Sequence, residues 1–262
     1  MFAQINELIK VIDDAVWGLP LICLIMVTGI LLTVRLGGVQ VRHLGKAFKF
    51  MFQDEEDGHG EVTSFGALCT ALSATIGTGN IAGVATAIAA GGPGALFWMV
   101  VAAFFGMATK YSEGLLAIKY RTIDQDGHVL GGPFYYIENG MGKKWKWLAK
   151  IFAFFGAGVG LFGIGTFTQV NSIASAVKNF FDPDMAHTVT VLGNDYSIAT
   201  VIAGILLTVF VGLVVIGGIK RIANVSQVIV PFMAGLYIVA VLVLIVTNIT
   251  KLPGAIVTIV EY

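Results

Sequence analysis

Four consecutive residues, Gly77-Thr78-Gly79-Asn80, put two glycines, a hydroxyl and an amide inside an apolar run, SATIGTGNIAGVATAIAAGGPG, from Ser73 to Gly94. In hydrocarbon every backbone N–H and C=O needs a partner, so an unwound helix persists only inside protein or beside a polar cavity. The residue types predict such a break over Ser73–Gly83. Ser64–Ile76 would form one half-helix ending in free carbonyls, and Asn80–Ala90 a second half beginning with free N–H groups. The carbonyl end suits a cation and the N–H end an anion such as a carboxylate, as in the discontinuous helices of secondary transporters. Gly77 and Gly79 are expected to take positive φ and to let a ligand approach closely, while Thr78 and Asn80 add polar side chains. The chemistry implied is the binding of a molecule with both charges, and an amino-acid zwitterion fits. Small residues also serve close helix packing, and Gly79 to Gly83 is a GxxxG pair. Packing leaves Thr78 and Asn80 unexplained. A phosphate or dinucleotide loop is excluded, because no Lys-Ser/Thr follows the glycines and Gly77-x-Gly79-x-x-x-Gly83 has the wrong spacing.

Other polar residues stand in apolar surroundings. TFTQVNSIAS, Thr166–Ser175, carries Gln169, Asn171 and Ser172. An intramembrane amide faces either a cavity or a neighbouring helix that it clamps by hydrogen bonding. Lys110 and Glu113 lie three apart and share a helix face. They read either as a pair snorkelling to the surface or as an inner gate. The stretch Gly131-Gly132-Pro133-Phe134-Tyr135-Tyr136-Ile137 combines a turn with an aromatic cluster suited to the headgroup level. The four histidines, His43, His59, His128 and His187, are dispersed in polar connectors, and Cys23 and Cys69 sit in apolar segments. Neither a metal site nor a disulfide framework follows, and no paired acid and base suggests an enzyme.

The elements that position these residues follow from composition. The chain has 262 residues, 56% hydrophobic and 12% charged, with mean hydropathy +0.85; soluble domains carry roughly 25% charged residues. That balance indicates an all-α, polytopic membrane protein. Net charge is zero, so no basic surface invites nucleic acid. The first 18 residues are acidic and lack a signal peptide's basic start and cleavage site. Six stretches are long enough to cross a bilayer at about 20 residues each: 15–34, 64–90, 95–118, 151–177, 198–216 and 225–246. Residues 251–262 are too short to span and suit an interfacial helix. Alternating sides collects thirteen Lys and Arg on one face and leaves Lys10, Lys178 and Lys251 for the other. The positive-inside rule then makes the first face cytoplasmic and the N-terminus external.

The run ALSATIGTGNIAGVATAIAAGGPGALFWM, with GMATKYSE, GGPFYYIENG, FGIGTFTQVNSIA and GGIKRIANVSQVIVPFMA in that order, resembles the alanine/glycine:cation symporter family. That family belongs to the amino acid–polyamine–organocation superfamily. The resemblance runs through nearly the whole chain. It implies a leucine-transporter-like fold and inward transport of alanine or glycine coupled to sodium, occasionally to protons, in the plasma (inner) membrane. With the break as read above, the substrate site is expected at Gly77, Thr78, Gly79 and Asn80 and the sodium site at carbonyls near Ala74, Thr75 and Gly77; the resemblance adds Gln169 to the substrate site. Family members often have GNMVQ where this chain has Gly165-Thr-Phe-Thr-Gln169, which alters the shape expected beside Gln169. They are also much longer, with a second broken helix bearing a motif like RGxFSNEAG. The expectation is therefore one peripheral span and the first five core spans, an N-terminal portion whose partner is the C-terminal half of the same transporter. The competing class is a non-coupled channel or a membrane scaffold.

Overall fold

The computed structural model describes residues 2–53, 62–163, 165–191 and 193–262. His59, placed in a polar connector by the sequence, lies outside the described residues. The chain is helical, as the apolar stretches predict, and falls into two compact units, residues 1–49 with 96–150, and residues 50–95 with 151–262.

The first unit opens with α1 (Phe2–Val16) and α2 (Leu19–Arg35), the latter starting beside Pro20. The N-terminal stretch left without an element by the sequence is thus an amphipathic helix. A turn at Gly37 and Gly38, φ +62° and +68°, leads into α3 (Val39–Arg42) and α4 (Leu44–Met51). Only glycine takes these left-handed values without strain. Next in the chain come α5 (Ser64–Thr75) and α6 (Ala82–Gly91), which belong to the second unit, and then the long α7 (Gly94–Lys119) of the first. In the first unit α2 and α7 meet at a small residue: a Cβ on Gly29 would lie 2.9 Å from Phe105 Cβ. After a two-residue hairpin, β1 (Thr122–Ile123) with β2 (Val129–Leu130), comes α8 (Pro133–Met141). It occupies the aromatic stretch of the sequence.

Helix α9 (Lys146–Leu161) leads to α10 (Thr166–Phe181), then to a second hairpin, β3 (Thr188–Val191) with β4 (Asn194–Ser197). Thr188 pairs with Ser197 and Val191 with Asn194, across a turn at Gly193, φ +83°. The two hairpins are the departure from a purely helical chain. Helices α11 (Ile198–Val215), α12 (Gly218–Thr247) and α13 (Leu252–Glu261) complete it. Residues 251–262 are thus almost wholly helical, and Tyr262 lies against the turn between α6 and α7, where a Cβ on Gly92 would come within 3.0 Å of its ring.

Among the described residues, five helical stretches are long and apolar enough to cross a bilayer, and a sixth if the bent pair α5–α6 counts as one span. One candidate span, Lys143–Phe181, covers the predicted stretch 151–177 and contains both α9 and α10, with Gly163 at φ +61° and Gly165 at φ +90° between them. Glycine is tolerated inside membrane helices, so the sequence alone does not separate a packing glycine from a break.

Burial follows membrane logic. Most large apolar side chains are exposed, among them Leu24, Trp98, Phe154, Phe210 and Leu244, where lipid would meet them. What is buried is small: Gly66 and Cys69 on α5, Ala108 on α7, Ala223 and Ser226 on α12. Lipid tails are as apolar as leucine, so helices associate by close approach at small residues. Helices α5 and α12 make the most extensive packing. Gln227 Nε2 donates to Thr63 Oγ1 at 3.1 Å, and that hydroxyl also caps α5 by accepting from Gly66 N–H at 3.0 Å.

Candidate functional site in a broken helix

Helix α5 stops at Thr75. Ile76 is extended (φ −87°, ψ 108°) and so is Gly77 (φ −152°, ψ −164°). One 3₁₀ turn, Thr78–Asn80, follows before α6 resumes, and the halves are bent by 62°. Carbonyls in the last turn of α5, including those of Ala74 and Thr75, lack a following helical turn to supply N–H groups. The Gly77 carbonyl is engaged: it accepts from Asn80 N–H at 3.1 Å.

The glycines work differently from expectation. Neither Gly77 nor Gly79 takes positive φ, because the turn is extended and then 3₁₀. Gly77 is needed for close approach: a Cβ there would collide with the Gln169 side-chain amide. At Gly79 and at Gly83 an added Cβ would meet no heavy atom within 4 Å. The GxxxG pair therefore packs against nothing in the described residues, and Gly79 faces open space.

Gln169 approaches from the first turn of α10, just after the second break. Its Oε1 accepts from Thr78 N–H at 3.1 Å and from Thr78 Oγ1 at 3.3 Å. The amide oxygen thus satisfies an N–H that the break leaves without a helical acceptor. The left-handed Gly165 starts α10 at the point that brings Gln169 to Thr78. Of the residues singled out in the sequence, Gly77, Thr78 and Gln169 come together. Asn80 is exposed beside them and Ser172 is half-buried further along α10. Asn171 points to a different wall of that helix.

Lys110 and Glu113 do pair, Nζ to Oε2 at 3.0 Å, with Lys110 74% exposed. Near them α8 is fastened to the end of α7 by Asn139 Nδ2 donating to the Tyr120 carbonyl at 3.1 Å. Tyr136 on α8 has its phenol held above the ordinary tyrosine range, first by burial and then by the Glu113 charge. Lys146 Nζ, 2.6 Å from Glu138 Oε1, ties α8 to the start of α9.

The sequence missed Asp182. This carboxylate, buried past the end of α10, accepts from Ser197 Oγ at 2.6 Å and Ala186 N–H at 2.7 Å, and also from His187 N–H. The Ser197 bond, foremost, holds it below the usual aspartate range. It pins the β3–β4 hairpin to α10. The Asp-Pro-Asp cluster was a signal for a turn, not for an anchor. Among the described residues no group of three His, Cys, Asp or Glu side chains could hold a metal ion.

A polytopic helical protein with a span broken around a polar turn has the architecture of a secondary transporter. The chain belongs to the sodium:alanine symporter family, which it matches over residues 2–262. It is 51% identical over 257 residues to an uncharacterized transporter of Haemophilus influenzae, covering 98% of this chain and 53% of that protein. It is 47% identical over 247 residues to the sodium/alanine symporter AgcS of Methanococcus maripaludis, covering 93% and 51%. A putative sodium/proton-dependent alanine carrier protein, YrbD of Bacillus subtilis, is 40% identical over 250 residues, covering 95% and 48%. The chain spans about half the length of these curated relatives. Family and relatives are transporters, not enzymes.

Proposed function

We propose that this chain serves sodium-coupled import of alanine or glycine by alternating access around the α5–α6 break. The observation that supports it most is the Thr78–Gln169 contact, an amide oxygen held where a substrate carboxylate would sit. In this reading the carboxylate takes the N–H groups at Thr78 and Gly79, with Asn80 and Gln169 adding side-chain polar groups. Open space beside Gly79 leaves room for the ligand. Sodium sits at the carbonyl end, near Ala74, Thr75 and Gly77, and Lys110 with Glu113 belongs to an inner gate closed by α8. The fold is leucine-transporter-like, the N-terminus is external, and a second set of core helices supplies the remaining contacts, as the sequence resemblance implies.

Uptake separates coupled transport from a pore. Vesicles would carry this chain, alone and co-produced with the part of AgcS that it does not match. An imposed sodium gradient should drive labelled alanine above its external concentration in the combined sample. Equilibration without accumulation, whether or not sodium is present, would favour a channel and refute symport.

A further inference from the structure

On the wall of α10 away from Gln169, a cavity of about 770 Å³ opens between that helix, the β3–β4 hairpin and the start of α11. Asn171, Ser175 and Lys178 line it at spacings of four and three, which puts them on one helix face. At about 100° per residue that face lies roughly 200° from Gln169, so the cavity is separate from the broken-helix site. Asp195 lines the opposite wall.

Two features of the cavity call for a ligand. The first is charge. Among the described residues Lys178 makes no ion pair, and the Asp195 side chain receives a hydroxyl alone, from Thr190 Oγ1 at 2.6 Å. A cation and an anion thus line the same cavity without forming an ion pair with each other, a charge pattern that suits a molecule bearing both charges. The second is polarity along the helix. Phe167 and Val170, 73% and 43% exposed, lie at one end and Lys178 at the other. Phe167 and Lys178 are separated by about 16 Å of helix, close to half the roughly 30 Å hydrocarbon thickness. An apolar floor beneath a charged rim is the profile of a lipid, whereas a free amino acid would need only the rim. The wall is also built firmly. Met185, at φ +52° the one non-glycine residue with positive φ among the described residues, lines it and is held between Asp182 and its hydrogen-bonded partners. A left-handed methionine persists only where its surroundings over-determine it.

We propose that this cavity holds a phospholipid with a primary-amine headgroup, its phosphate on Lys178, its ammonium on Asp195 and its acyl chain along Phe167 and Val170. Phosphatidylglycerol would leave Asp195 unpaired beside an anion. Phosphatidylcholine, with a methylated nitrogen, cannot donate a hydrogen bond to the carboxylate.

Native mass spectrometry on the delipidated protein tests this, with phosphatidylethanolamine, phosphatidylcholine and phosphatidylglycerol of identical acyl chains. One phosphatidylethanolamine should be retained at concentrations about tenfold below those needed for the other two. Lys178→Ala and Asp195→Asn should each abolish the preference, and Lys178→Arg, which keeps charge and fold, should preserve it. Free phosphoethanolamine and free alanine should fail to displace the lipid at equal concentration. Equal retention of the three lipids, a preference that survives both charge removals, or displacement by either free zwitterion would overturn the proposal.

Discussion

At the residue scale, positions were legible where an unusual residue type breaks a pattern, and hidden where a common residue acquires partners through folding. Gly77-Thr78-Gly79-Asn80 is conspicuous because polar and flexible residues interrupt hydrocarbon. The meaning of Gly77 was not, since it depends on Gln169 arriving from 92 residues later in the sequence. Asp182 resembles any loop aspartate until Ser197 and the Ala186 and His187 amides close around it. Its carboxyl is held below the ordinary range, so the stabilisation it gives is present above the unfolded value of about 3.9 and is lost as pH falls through the lower folded value. Hydrogen-exchange protection of the β3–β4 hairpin, taken relative to the intrinsic exchange rate at each pH, should therefore hold at neutral pH and fall only under strongly acidic conditions. Asp182→Ala should raise exchange at Ala186 and His187 by at least about tenfold at pH 7, from the loss of hydrogen bonds to a charged acceptor. Unchanged protection in that variant would show that the hairpin stands without its anchor.

At the element scale, apolar stretches of about 20 residues located the long helices, because hydrocarbon thickness fixes their length. Breaks and packing partners were harder to read. The interruption between α9 and α10 was hidden in a glycine-rich run, and the α5–α12 pairing depends on Gly66 and Gln227, 161 residues apart. Both glycine types look alike in sequence, yet the structure separates them. A Cβ on Gly66 would collide with the Gln227 amide, while one on Gly83 meets nothing within 4 Å. Gly66→Val should accordingly destabilise the protein by about 1–3 kcal/mol through overpacking, and Gly83→Val should leave it unchanged or slightly more stable. Melting curves in detergent on the two variants check this; equal shifts would mean that α5 and α12 do not pack at Gly66. Gln227 matters for a second reason. Pro231 lies four residues on inside α12, and lacking an N–H it leaves the Gln227 carbonyl without its helical donor. This is the point where α12 can bend while its side chain holds the start of α5.

At the scale of the whole molecule, the balance of charge and hydropathy made the membrane protein legible, and the arrangement of Lys and Arg gave an orientation. That orientation puts position 144 in the cytoplasm and position 184 outside. Single cysteines there, in a background without Cys23 and Cys69, should react with an impermeant reagent in intact cells at 184 and not at 144. The reverse pattern would turn the protein over. The central claim is that the break in α5–α6 exists to bind an amino acid, and Gly79 tests it most directly. A Cβ there would meet no heavy atom within 4 Å beyond its chain neighbours, so a larger side chain starts out in open space. It would, however, fill the space assigned to the substrate beside the N–H groups. Alanine titration of purified protein in saturating sodium, with a parallel melting curve, should give at least about tenfold weaker binding in Gly79→Val, or roughly 1.4 kcal/mol, with the melting temperature nearly unchanged. Normal alanine affinity in that variant would contradict the account and place the amino-acid site elsewhere.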